Sequence, residues 1–291
     1  MLNYILNLAI LICINASLAV TLNFIMGYAG IFSIAHAVFF GVGAYTAAYI
    51  ALHFSASLFV TVPISMLVAG VLSLALALPA LRVRGEYFVA ASLGLQMLAI
   101  TVFSEWKSVT GGIGGVIGIP PASVFGHEIV GPAEFLAVAL LFLILIVGVT
   151  TLLVRSSFGR NLKAIRDSES AAHAFGKNVA AIKTLAVVVS SSLAAIAGVL
   201  YASYLSFINV ESFMLDTSVL VMAMVIIGGA ATVLGPIVGA TLLMLIPSFS
   251  SYLSFLPQTE IGSIQQIIYG AAMVLLMIFH PGGIVGIRNT K

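Results

Sequence analysis

The sequence predicts an all-α polytopic integral membrane protein with about nine (8–10) transmembrane helices, some of them short or broken. Three observations carry that prediction. Of the 291 residues, 62% are hydrophobic and only 7% are charged, whereas a soluble domain carries about a quarter charged residues. The chain holds many apolar runs close to the roughly 20 residues that a spanning helix needs. Those runs are continuous and do not alternate with period two, which excludes a transmembrane barrel.

The charges divide the chain. Segments 1–81, 87–104, 135–154, 184–210, 217–259 and 261–287 contain no Asp, Glu, Lys or Arg. Ten of the 11 basic residues fall in three clusters: Arg82 with Arg84, six between Arg155 and Lys183, and Arg288 with Lys291. The remaining connections hold Lys107 alone among cations, against Glu105, Glu128, Glu134, Glu211, Asp216 and Glu260. The positive-inside rule therefore predicts that the basic clusters are cytoplasmic, and with them the C-terminus.

Taken in order, residues 2–25 read as a first span. They lack the basic n-region of a secretory signal, and their apolar run is longer than an h-region. Asn3, Asn7, Asn15 and Asn23 do not fall on one helical face. The lone Cys13 excludes a disulfide framework and reads as apolar filler; no metal or catalytic constellation stands out. Spans at 31–53 and 57–81 follow, which puts the N-terminus outside. A span at 87–106 leads out, 133–154 returns, 184–206 leaves again and 262–280 brings the chain back. Parity makes 217–249 cross twice, although as helix it measures only about 50 Å. Gly228, Gly229, Gly235, Pro236 and Gly239 interrupt it, so it reads as two short or broken helices meeting within the membrane. The outer loop TGGIGGVIGIPP, from Thr110, matches no phosphate-binding motif and reads as a compact lid. The whole, 1–291, forms a single transmembrane domain, with 155–183 as a cytoplasmic segment inside it.

The stretch Gly27–Ile50 is apolar, yet it holds Gly27, Gly30, Gly41, Gly43, Ser33, His36 and Tyr45. Unwound backbone is tolerated at membrane depth where it is buried in protein or lines a cavity, and paired interrupted segments in two halves of a transporter point to its path. The small residues Ser33, Ala37 and Gly41 at four-residue spacing suggest a face for close helix contact. Two readings stand: a seam along a translocation path, or static small-residue packing. His36 is either a functional intramembrane group or a neutral histidine in a helix interface. Tyr28, Tyr45, Tyr49, Trp106 and Tyr252 lie near span boundaries, as in an aromatic belt.

The longest hydrophilic stretch runs from Ser156 to Lys183. Asp167 or Ser168 can cap a helix, Glu169 suits its first turn and Gly176 its end, which predicts a short helix over Glu169–Phe175. Leu162, Ile165, Ala172, Phe175 and Val179 suggest an apolar ridge. The segment is either a docking element for a partner or an ordinary connecting loop.

Several motifs resemble one family. Glu169, Ala171, Ala172 and Gly176, in ESAAHAFG, are similar to the EAA-x3-G coupling motif of ABC importer permeases. Gly27–Ile50 resembles the GYAG-x-x-S-x-x-HA-x-F-x-G-x-GAY signature of branched-chain amino acid permeases, with Ile31 and Ala35 departing from it. LRVRGEYFVAASLG at 81–94, the TGG near 110–112, the GR-x-x-x-AIRD-x-E-x-AA run and FHPGG at 279–283 resemble its LivM-type subunit. The resemblance implies the ABC importer permease fold and a prokaryotic cell membrane. It also implies a LivH-type sister permease, two cytoplasmic ATPase subunits that carry the ATP, and an extracytoplasmic solute-binding protein. This chain itself would hold no cofactor, meet membrane lipid and no nucleic acid, and not be an enzyme. Branched-chain amino acids are the expected cargo, with other amino acids, urea or sugars as alternatives. Arg160, Arg166, Asp167, Glu169, Ala171, Ala172, Phe175 and Gly176 would couple to the ATPases; Gly27, Gly30, Ser33, His36, Gly41, Gly43, Tyr45, Gly228, Gly229 and Gly235 would line the path or seam.

Two other classes compete. A secondary transporter normally keeps an acidic or paired charge at membrane depth, and here His36 alone would have to serve. An intramembrane enzyme would need a nucleophile with a base or metal ligands, which the scattered histidines do not supply.

Overall fold

The computed structural model describes residues 2–54, 57–80, 86–124, 126–250, 267, 269–271, 273–275, 278 and 282–286. Eleven α-helices appear among them, with four two-residue strands. Five helices are long and apolar enough to cross a membrane unaided: α1 (Leu2–Ala29), α3 (Leu58–Ala80), α4 (Glu86–Glu105), α6 (Pro132–Arg155) and α9 (Val179–Leu205). Three shorter apolar helices, α2 (His36–His53), α10 (Leu215–Gly228) and α11 (Gly235–Ser250), pack among them. Between these come α5 (Lys107–Thr110), α7 (Ser157–Asp167) and α8 (Glu169–Ala174). Of the span expected at 262–280, residues 267, 269–271, 273–275 and 278 are described and are helical, while Tyr252 and the basic pairs Arg82/Arg84 and Arg288/Lys291 lie outside the described residues.

Local rules place the helix ends. The α6 helix starts with proline in its first turn after Gly131, carries Glu134 in that turn and ends with Arg155, so both ends complement the helix dipole. Ser156, Ser168 and Asn178 cap α7, α8 and α9 by accepting backbone N–H groups of Phe158, Ala171 and Ala181. At the end of α1, Gly30 adopts the left-handed conformation (φ +69°) that glycine enters without penalty. The chain then runs unwound from Gly30 to Ala35 before α2 begins.

α9 forms the middle of the bundle, against α1, α2 and α3. Of its apolar window 72% is buried, against 28% for α4 and α6; the latter two expose Met97, Leu98, Ile144 and Leu152, as lipid-facing helices do. α2 and α9 cross with backbones in contact. A Cβ on Gly43 would strike the Ala195 carbonyl oxygen, and one on Gly198 the Phe40 carbonyl oxygen, so both positions require glycine.

The chain gathers its loops at two ends. At one, β1 (Val116–Ile117) pairs antiparallel with β4 (Phe207–Ile208), β2 (Ser123–Val124) pairs with β3 (His127–Glu128), and Ser57 bridges Ser123. Thr110 Oγ1 donates to the Phe103 and Trp106 carbonyls and folds the glycine-rich loop tightly. This end carries Lys107 with Glu105, Glu128, Glu134, Glu211 and Asp216. At the other end α7 and α8 bring together Arg160, Lys163, Arg166 and Lys177, with Arg155 and Lys183 on the flanking helices. The end of α1 lies beside α7 there, so α1 starts at the acidic end.

Parity over 217–249 resolves into a hairpin. α10 has 14 residues and α11 has 16, about 21 and 24 Å at the usual rise. Their shared turn stops near Asn23, short of the end of α1. The two helices touch backbone to backbone, because a Cβ on Gly239 would meet the Met224 carbonyl oxygen and one on Gly228 that of Gly235. Residues 282–286 close the open end of α10: the Ile284 and Val285 N–H groups donate to the Ile227 and Gly228 carbonyls, each at 3.0 Å. Carbonyls at a helix end cannot stay unpaired in hydrocarbon, and this strap satisfies two of them.

Candidate functional site: a broken corner beneath a docking helix

The Gly30–Ala35 segment folds back into the bundle, so α2 starts level with Thr21, well inside α1. The His36 Nε2 lies 2.8 Å from Thr21 Oγ1, whose own proton goes to the Leu18 carbonyl at 2.7 Å. With the threonine proton on the Leu18 carbonyl, its oxygen is free to accept from the Nε2-protonated tautomer of His36. His36 is 1% exposed and sits in a helix interface among the described residues. Ser190 Oγ donates to the Thr21 carbonyl at 2.6 Å and so ties α9 to the same level. The backbone N–H of Ile34 reaches Ser92 Oγ on α4, and that of Ala37 reaches Ser218 Oγ on α10. Five elements thus converge on one break.

The expected path residues spread around this corner. Ser33 precedes α2 and is not part of it, so Ser33, Ala37 and Gly41 do not form one helical face. The close backbone crossing falls at Gly43, while a Cβ on Gly41 would lie 2.9 Å from the Phe103 and Phe213 rings. Tyr45 is no belt residue: at 3% exposure it packs on Phe103 and Phe213, with centroids 4.9 and 5.4 Å away. Tyr28 is also buried, beneath the Lys163 ammonium. Trp106 and Tyr49 are exposed, in keeping with interfacial positions. The Ser33 and Tyr45 hydroxyls are buried and have no hydrogen-bond partner among the described residues. A buried hydroxyl left unpaired costs about 1–3 kcal/mol, so Ser33 before α2 and Tyr45 along it are polar groups left unused among the described residues. Gly228, Gly229 and Gly235 lie at the turn of the α10–α11 hairpin.

The basic end holds the coupling candidates. α8 is the short helix expected at 169–175, ending one residue earlier, with Gly176 beyond it at φ +72°. Lys183 Nζ bridges Glu169 Oε2 at 2.7 Å. Ile165, Ala172 and Val179 form a small core of their own with Ile182 against them, while Leu162 belongs to the main core. Phe175 departs from the expected ridge: it is 83% exposed. The ridge holds α7 and α8 to α9, and Phe175 points away from it. Ala171 follows Ser170 on the exposed side, and Arg160 donates to the nearby Arg155 carbonyl.

Two contacts carried no clear mark in the sequence. Arg166 turns inward: Nη1 donates to the Gly27 carbonyl at 2.9 Å, while Nε and Nη2 hold Asp167 Oδ1. Asn23, one turn before Gly27 on the same face, accepts the Ala231 N–H at 2.8 Å and donates to the Thr232 carbonyl at 2.8 Å. A Cβ on Gly27 would collide with Asn23 Oδ1 and the Ala231 nitrogen. Asn23 reaches the turn between α10 and α11, whereas Asn15 bonds back to its own helix at Leu11.

A bundle of long and half-length apolar helices, with an unwound corner inside it and an amphipathic appendage at one end, is that of a multi-pass helical membrane protein. The chain belongs to the family described as the permease component of branched-chain amino acid transport systems, whose profile matches residues 4–277. It is 29% identical, over 96% of its length and 69% of the relative's, to the LivM high-affinity branched-chain amino acid transport permease of Escherichia coli K12. A probable LivM permease of Methanocaldococcus jannaschii is 25% identical over 72% of this chain and 62% of that one. A shorter region, 37% of this chain and 34% of the relative, is 33% identical to the autoinducer 2 import permease LsrC of Photorhabdus luminescens. No solved structure matches the chain.

Proposed function

We propose that this chain is one of two permease subunits of an ATP-driven importer and that it forms part of the path for branched-chain or related amino acids. The carrying observation is the broken corner: α1 ends at Gly30 beside the basic segment, and α2 restarts within the bundle against α10. Backbone left unwound at that depth is what a path between half-helices uses. The unpaired hydroxyls of Ser33 and Tyr45 offer polar partners to a solute passing the corner. The positive-inside rule puts the end with Arg155, Arg160, Lys163, Arg166, Lys177 and Lys183 in the cytoplasm. There α8 and the exposed Phe175 would meet one of two ATPase subunits. The acidic, compactly folded end would receive an extracytoplasmic binding protein, and a LivH-type sister would complete the path.

A prokaryotic cell lacking this chain should lose high-affinity uptake of radiolabelled leucine, isoleucine and valine, and regain it on complementation. A second reading, another small polar solute as cargo, draws support from the region shared with an autoinducer 2 permease. Normal branched-chain uptake in the deletion strain, with loss of a different solute, would favour that second reading.

A further inference from the structure

Arg166 occupies an unusual place for a residue on a solvent-facing helix. α7 is strongly amphipathic and buries Gly159, Leu162 and Ile165. The Arg166 stem lies against Gly30, where an added Cβ would approach its Cγ to 2.9 Å. Its guanidinium donates to the Gly27 carbonyl, a group freed because α1 ends there. The cation thus binds the negative end of the α1 dipole, a charge-assisted contact stronger than a neutral hydrogen bond. Asp167 holds the other edge of the guanidinium and fixes its plane.

The contact continues inward. Gly27 lies one turn after Asn23, which grips the Ala231–Thr232 turn through both ends of its amide. Beyond Gly27 stands the Gly30 bend that leads into the unwound segment and α2. In the other direction, α7 continues through Ser168 into α8, and the Ile165–Ala172–Val179 core makes α7, α8 and the start of α9 one packed unit. An uninterrupted line of contacts therefore runs from the exposed Phe175 through α7, Arg166, Gly27 and Asn23 to the hairpin.

We propose that Arg166 is a positioning residue that carries movement of the α7–α8 segment to the broken corner of α1 and, through Asn23, to the α10–α11 hairpin. It does so without itself touching the ATPase or the solute. This rests on the reading of α8 as the ATPase-docking helix. Its consequence is a separation of two activities. Without the Arg166–Gly27 bond the ATPase still docks and hydrolyses ATP, and the spans no longer follow.

The test uses the complete importer, purified with its partner subunits and reconstituted into lipid vesicles. Subunit retention, ATP hydrolysis and radiolabelled leucine uptake are each read. Arg166→Gln keeps the stem that packs on Gly30 and is too short to hold Gly27. Its uptake per ATP hydrolysed should fall about tenfold or more, the scale of one lost charge-assisted hydrogen bond, with ATPase retention unchanged. Asn23→Ala, which leaves Arg166 intact, should give the same split, so either variant suffices if the other fails to accumulate. An unchanged ratio of uptake to hydrolysis overturns the proposal. Loss of the ATPase subunit from Arg166→Gln overturns it too, because Arg166 would then be a docking contact. Phe175→Ala marks the separate failure: if it leaves ATPase retention intact, the docking assignment itself is wrong.

Discussion

At the residue scale, the fold depends on side chains that the composition makes inconspicuous. The His36–Thr21 pair is buried at the convergence of α1, α2 and α9. Removing either partner leaves a polar group short of a bond, at about 1–3 kcal/mol. His36→Ala and Thr21→Val should each lower thermal stability in detergent, and the double variant should cost less than the sum, a coupling that a double-mutant cycle reads. Purely additive effects would show that the pair does not act as one. Gly43→Val should sharply reduce the amount of folded protein, because its side chain enters the Ala195 backbone. Gly94→Ala meets nothing within 4 Å and should be neutral or gain up to about 1 kcal/mol from helix propensity. Fluorescence-detected size-exclusion profiles of the two variants check the contrast. These roles were only partly legible. His36 was conspicuous as an ionisable group in an apolar run, but its partner lies fifteen residues away across an unwound turn. Asn23 was one of four scattered asparagines, and only the fold shows that it meets the turn between α10 and α11.

At the scale of elements, α8 was the most legible. Ser168, Glu169 and Gly176 are local punctuation, and local rules need no tertiary information. α7 was hidden because its apolar positions were read as one ridge continuing into α8, whereas the chain turns at Ser168 and Phe175 leaves the ridge. This difference strengthens the docking reading. Phe175 is exposed, so Phe175→Ala should leave thermal stability unchanged while weakening ATPase copurification more than about tenfold, as truncation of an aromatic anchor does. Gly176→Val strains a left-handed residue by roughly 1–2 kcal/mol and should weaken copurification as well. Retention of the ATPase by both variants would reduce α8 to a connecting loop. The strap at 282–286 makes its own prediction. Gly283 is at φ +73° against Gly229, so Gly283→Val should release the α10 carbonyls and lower stability far more than a surface substitution. An unchanged melting curve would show that the strap is dispensable.

At the scale of the molecule, the division of charge gave the clearest guide, because it reports the two water-facing ends without any knowledge of packing. The interruptions in Gly27–Ile50 and at Gly228–Gly239 also marked two places where a helix starts or stops inside the bundle. What periodicity could not supply is how those breaks meet, since α2, α4, α9 and α10 contribute to one corner from distant parts of the chain. Sidedness is testable directly: cysteines at Ser168 and Ser123 should react with an impermeant maleimide from opposite faces, Ser168 from the cytoplasm. Labelling of both from one face would contradict the arrangement. The most direct measurement is transport itself. Vesicles containing this chain, its sister permease and the ATPases, supplied with the solute-binding protein outside and ATP within, should accumulate radiolabelled leucine only while ATP lasts. Accumulation that is independent of ATP, or vesicles without this chain that perform equally well, would contradict the account.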